Sequence, residues 1–115
     1  MVDQDAILRA YSMLASLKQN VPDEYEVSSR WVDEFHQAVE QLERSLGKEL
    51  RQFRVPQDAL ERSIASSNYV TGEVHYREGL WCRRHVLMQK IDALLFYFTG
   101  LQSGQDRKIG FQPPQ

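Results

Sequence analysis

Cysteine is nearly absent from this chain of 115 residues, which contains only Cys82. No disulfide can therefore form within the chain, and a metal site built from several thiolates is excluded. The three histidines form neither an HxxxH nor an HExxH pattern, so the usual histidine spacing of a metal site is missing as well. We predict that the protein needs no metal and no cofactor, and that it works in a reducing, cytoplasmic compartment.

Long apolar runs and an excess of basic charge are also missing. The most apolar stretch, residues 91–101, contains Asp92 and is shorter than the roughly 20 residues that span a bilayer. The amino terminus carries Asp3 and Asp5 where a signal peptide would be basic. The net charge of -2 gives no general attraction to nucleic acid. We therefore expect no membrane contact, and a nucleic-acid partner is possible but not favoured.

Three segments show apolar residues at helical spacing. The first, 3–20, has Asp3 as a helix cap and ends before Pro22. The second, 29–46, is followed by Gly47, which suits a left-handed helix end. The third segment, 80–101, has the widest apolar face and is predicted to be central. The seam of the second helix is Val32, Phe35, Val39, Leu42 and Leu46, and that of the third is Leu80, Leu87, Ile91, Leu94, Phe98 and Leu101.

The segment 66–79 interrupts the helical pattern. Its polar residues, the Thr71-Gly72 pair and the alternating Val74 and Tyr76 favour either a long loop or a small hairpin. Pro56 is suited to open a short additional helix. We predict an all-α fold, an antiparallel bundle of three to four helices with a long loop or small hairpin before the last helix. The bundle domain would span 1–102, followed by a polar linker and an apolar, proline-containing tail over 103–115.

Arg84 occupies a position in the last helix where the seam requires an apolar residue. A buried guanidinium must be paired, because an isolated charge is costly in a low-dielectric core. One interpretation is that Arg84 reaches water or pairs with Asp33 or Glu34. The other is that Arg77, Arg84 and His85 line a pocket for phosphate or carboxylate, as in a small anion or nucleotide sensor.

Large apolar residues are more numerous than a small bundle needs for its own core. They either fill one wide core or form a site for a protein partner, where aromatic residues and Met are enriched. The tail residues Ile109 and Phe111 could dock on a groove of the same or a neighbouring chain. Our preferred hypothesis is a non-enzymatic protein-protein interaction module, acting as a homodimer or as an accessory subunit. The interface candidates are Trp31, Trp81, Met88, Leu95, Phe96, Tyr97, Ile109 and Phe111.

Three segments together carry a family resemblance: Phe53-Arg54-Val55-Pro56, Lys90 to Phe98, and Ile109-Gly110-Phe111. In this order they resemble small uncharacterised prokaryotic helical proteins, which are similar to the HEPN-like superfamily of toxin-antitoxin and defence loci. The resemblance spans most of the chain and implies an all-helical fold.

The same resemblance implies an enzymatic alternative, a metal-independent ribonuclease whose site is shared by two chains of a dimer. Ribonuclease members use an Arg followed within a few residues by a His. Arg30 and His36 have suitable spacing, although Trp31 stands where a polar residue is common. The second possibility is the group of Arg77, Arg84 and His85, in which Arg77 and His85 are too far apart for the family pattern. The preferred hypothesis assigns no catalytic residue.

Overall fold

The computed structural model describes residues 4–109, and it describes side chains for residues 4–100. The described chain contains three α-helices, two single 3-10 turns (Arg51–Phe53 and Gln57–Ala59) and two antiparallel sheets. The predicted all-α class is therefore wrong, and the fold is mixed α/β. The helices are Gln4–Asn20 (α1), Ser29–Leu46 (α2) and Arg84–Ile109 (α3). The strands are Glu26–Ser28 (β1), Leu60–Glu61 (β2), Ile64–Asn68 (β3), Glu73–Tyr76 (β4) and Trp81–Arg83 (β5).

The three helices supply most of one hydrophobic core. Ser28 caps the first turn of α2 by accepting from the amide of Arg30, and Gly47 ends the helix as predicted, with a φ of 68°. α1 ends at Asn20, one residue before Val21-Pro22. Residues buried in this core include Leu14 of α1, Val32, Phe35, Val39 and Leu42 of α2, and Leu87, Ile91, Leu94 and Phe98 of α3.

A three-stranded sheet in the order β1-β5-β2 replaces the first turn predicted for the last helix. Val27 and Leu60 both pair with Cys82, so the three side chains share the inner face, where they pack into or against the core. Trp81 and Arg83 lie on the outer face. Leu80, predicted as the first seam residue of the helix, precedes β5 and is exposed. Strands of two or three residues are too short to show an alternating pattern in the sequence.

The segment before the last helix forms a hairpin, one of the two structures expected there. β3 and β4 pair from Ile64 with Tyr76 to Asn68 with Glu73, with a bulge between Ile64 and Ser66. Every side chain of the two strands is exposed. The hairpin therefore adds nothing to the core and presents both faces to solvent.

The connection between α2 and β2 is held by Glu43. Its carboxylate accepts from the Leu50 amide at 2.7 Å and from Arg54 Nη2 at 2.6 Å, and these bonds lower the pKa of Glu43 below 4.5. Pro56 is followed by the second 3-10 turn rather than by a further α-helix. This connection fixes Phe53 against α3.

α3 continues through Ile109, beyond the domain boundary predicted at residue 102. The tail residue Phe111 lies outside the described residues, and so does the side chain of Ile109. Within 4–109, no helix combines the length and the apolar character needed to cross a membrane.

Candidate functional site

Arg84 fastens the loop between α1 and β1. Its Nε donates to the carbonyl of Pro22 at 3.0 Å and lies 3.9 Å from the Asp23 carboxylate, while its backbone amide donates to Tyr25. The acidic neighbour is thus Asp23 rather than Asp33 or Glu34. Because the guanidinium is only partly buried and already has these partners, it fills a structural position at the start of α3.

Arg77 is held in a different way. Its guanidinium carbon lies 3.4 Å from the centroid of the Trp81 ring, and Nη2 lies 3.8 Å from a carboxylate oxygen of Glu24. A cation over an aromatic face is stabilised by the ring quadrupole. Arg77 and Arg84 therefore both bind residues of the 22–25 loop. Because acidic side chains of this loop lie next to both guanidinium groups, their attraction for an anionic ligand is reduced. His85, the third member of the predicted anion site, is exposed.

His36 and Arg30 are not brought together within the chain. The Nε2 atom of His36 accepts a hydrogen bond from the Val55 amide at 3.0 Å, and burial lowers the pKa of His36 below 6.5, with a further contribution from Arg54. Arg30 is exposed and stacks on Trp31, at 5.4 Å from the ring centroid. Six helical positions place residues 30 and 36 about 9 Å apart along α2 and on different sides of it. His36 thus acts as a structural acceptor.

Neither a metal centre nor an activated thiol emerges from the described residues. No group of three or more His, Cys, Asp or Glu side chains within 4–100 is placed to hold a metal ion. Cys82 is fully buried, and desolvation raises its pKa above the ordinary value of 9.0. A buried thiol of raised pKa is a poor nucleophile.

Most of the predicted interface residues belong to the periphery of the core. Trp31, Met88, Leu95 and Tyr97 are partly buried against it, and Trp81 lies under Arg77. Phe96 differs from all of them, because 80% of it is exposed. Among the predicted interface residues with described side chains, Phe96 on α3 is therefore the one large apolar residue left mostly exposed.

Phe96 is the most exposed aromatic residue of an open groove of about 760 Å³ on one side of α3. Gln89, Ala93, Phe96 and Gly100 follow one another at steps of four, three and four, so they share one stripe of the helix. Phe53 closes one side and packs on Tyr97, with ring centroids 5.3 Å apart. The groove, called the α3 groove below, is lined by Phe53, Gln89, Asp92, Ala93, Phe96, Tyr97 and Gly100.

Charged groups surround the α3 groove, whereas its floor is apolar. The Nζ of Lys48 lies 5.1 Å from the centroid of the Tyr97 ring, and Lys90 donates to the carbonyl of Gln52. Asp92 is paired with Lys18 at 2.8 Å. Within the part of the chain with described side chains, Lys48 and Lys90 have no carboxylate partner.

Comparison of the chain with family models, curated proteins and solved structures finds no match. The resemblance to HEPN-like proteins therefore stays a prediction, and the function must be argued from the geometry of the chain itself.

Sequence reasoning found Phe96 and Tyr97 but missed the other residues that shape the groove. Phe53 is named there only within the Phe53-Arg54-Val55-Pro56 segment, and the small residues Ala93 and Gly100 carry no prediction. Their spacing around Phe96 was a usable signal, because small residues on the same stripe as a large one leave open space beside it. Among the residues with described side chains, no atom outside the backbone of α3 lies within 4 Å of a Cβ atom added at Gly100.

Proposed function

We propose that this chain is a non-enzymatic protein-interaction module that self-associates through the α3 groove. The observation that carries the proposal is the exposure of Phe96 in the middle of an apolar groove. Covering a large apolar side chain stabilises a complex by about 1.5–3 kcal/mol, and aromatic residues are frequent energetic anchors of interfaces.

The surroundings of Phe96 also have the anatomy of a binding surface. An apolar centre within a charged rim is the usual arrangement in protein interfaces. Lys48 and Lys90 stand at the rim, and Asp92 marks one end of the lining. A partner would therefore find both an apolar anchor and charges that orient it.

The groove is prepared for binding, because its walls are fixed within the fold. One wall is α3, whose opposite side is buried in the core through Ile91, Leu94 and Phe98. The other wall is Phe53, held by the carboxylate of Glu43 through its bonds to Leu50 and Arg54 on either side. Less side-chain and loop freedom is lost when a preformed surface binds.

The test is the mass of the protein in solution, measured by light scattering over a micromolar concentration series. We expect the natural chain to exceed the monomer mass and a Phe96→Glu variant to be monomeric, because covering the groove would remove a carboxylate from water. Leu8→Glu is the matched control, since Leu8 is an exposed apolar residue on α1. A monomeric natural chain, or a Phe96→Glu variant that keeps the natural mass, would overturn the proposal, provided that circular dichroism shows both variants folded.

A further inference from the structure

The turn of the hairpin exposes two more large apolar side chains. Tyr69 is 95% exposed and Val70 is 85% exposed, and together with Phe96 they are the most exposed large apolar residues of the part of the chain with described side chains. The two residues are adjacent, so they form one apolar projection, called the hairpin tip below. Tyr and Val at such exposure contribute nothing to the stability of the monomer through burial.

The hairpin tip is held in a defined conformation. The side-chain oxygen of Asn68 accepts from the amides of Val70 at 3.0 Å and Thr71 at 3.4 Å, and the backbone carbonyl of Asn68 accepts from the Gly72 amide at 2.7 Å. Gly72 has a φ of 79°, which glycine adopts without steric cost. The Thr71 hydroxyl accepts from the amide of Glu73. These bonds orient Tyr69 and Val70 before any partner arrives.

We propose that the occupant of the α3 groove is the hairpin tip of a second copy of this chain, an inference that rests on the proposed self-association. An apolar projection and an apolar groove occur in one molecule, and neither has a covering element within the described structure. The groove, at about 760 Å³, falls in the range that accommodates a drug-sized group, which is about the size of a tyrosine with its neighbour.

The tip of the same chain is not the occupant. In this fold Tyr69 is almost completely exposed, and the base of the hairpin is fixed by the bond from the Arg77 amide to the Ser63 carbonyl. Arg62 also stacks on Tyr76 at the base, 3.8 Å from the ring centroid. The hairpin is therefore anchored away from its own groove, and the contact joins two copies.

The charges of the two surfaces are complementary. Residues 64–76 contain one acidic residue, Glu73, and no Lys or Arg. Glu73 follows the turn directly and is exposed. Lys48 and Lys90 stand at the rim of the groove. Opposite charges across an interface orient the partners and speed their encounter, so added salt should weaken the assembly.

This contact joins two different surfaces, so each copy carries one tip and one groove. Such a heterologous contact closes into a ring or continues as a chain of copies. A symmetric dimer in which two α3 grooves face each other would leave both tips unused. The two arrangements therefore differ in whether Tyr69 matters for assembly.

The experiment uses Tyr69→Glu and Phe96→Glu variants of the full chain, separately and mixed in equal amounts. Each variant alone should be monomeric, because one has lost the tip and the other the groove. The mixture should form a complex of two chains and no larger species, since it unites one intact groove with one intact tip. Tyr25→Glu, at another exposed tyrosine, is the control and should assemble like the natural chain.

The possible failures are distinguishable. If Tyr69→Glu keeps the mass of the natural chain while Phe96→Glu is monomeric, the hairpin tip is not the occupant of the groove. The groove would then remain the binding surface, with another occupant. A mixture that stays monomeric would overturn the tip-to-groove contact in the same way. Natural mass for Phe96→Glu, or a monomeric natural chain, would overturn the proposed function itself.

Discussion

Replacing His36 by alanine tests whether this histidine is a structural acceptor. The change removes the acceptor of the Val55 amide, and Val55 is only 4% exposed. A buried amide left without a partner costs about 1–3 kcal/mol, so we expect His36→Ala to lower the free energy of unfolding by about 2 kcal/mol. For a domain of this size the melting temperature should fall by about 6–12 °C.

The pH dependence of the free energy of unfolding gives a second test of the same role. Burial depresses the pKa of folded His36 below 6.5, so the unfolded chain takes up the proton first as the pH falls. The contribution of the neutral imidazole is therefore complete above pH 6.5 and is lost as the pH falls through the folded-state pKa. Urea unfolding followed by circular dichroism at pH 8 and pH 5.5 should show this loss in the natural chain and a smaller loss in His36→Ala.

His85→Ala is the matched control, because His85 is exposed and its replacement should change stability by less than about 0.5 kcal/mol. If His36→Ala unfolds at the same urea concentration as the natural chain, or keeps the same pH slope, the acceptor role is refuted. Lost stability in His36→Ala alone would confirm that role.

Two further predictions follow from buried groups. Tyr97→Phe should leave the free energy of unfolding unchanged or raise it by up to about 1 kcal/mol. The reason is that the Tyr97 hydroxyl is the one buried side-chain polar atom within 4–100 that lacks a hydrogen-bond partner. A clear drop in melting temperature would contradict this prediction. Cys82 should resist a thiol reagent in the native protein and react stoichiometrically in guanidinium chloride, since it is buried and its pKa is raised. Fast labelling of the native chain would show that this interpretation is wrong.

The helices could be predicted from the sequence because their signals are local. The spacing of Val32, Phe35 and Val39 and the glycine after Leu46 define α2 without reference to the rest of the fold. The start of α3 could not be predicted in this way. Residues 81–83 pair with residues of β1 and β2 that lie at least 20 positions away, and such pairing leaves no local pattern.

The candidate site was predictable only in part for a similar reason. Phe96 belongs to a helical stripe and could be recognised as surplus to the core. Phe53, in contrast, is placed at the groove by contacts between residues that are distant in the sequence. The carboxylate of Glu43 accepts hydrogen bonds from the Leu50 amide and the Arg54 side chain, and no sequence pattern predicts these bonds. The roles of Arg84 and His36 were likewise decided by distant backbone groups, the Pro22 carbonyl and the Val55 amide.

The irregularity between Ile64 and Ser66 has a consequence for the unpaired margins of the hairpin. A two-stranded ribbon has free amides and carbonyls along both margins, and flat margins of this kind are templates for aggregation by strand addition. An extra residue in one strand tightens the local twist and breaks the even row of these groups. The bulge therefore lowers the tendency of the exposed ribbon to pair with strands of other chains near Ile64 and Ser66.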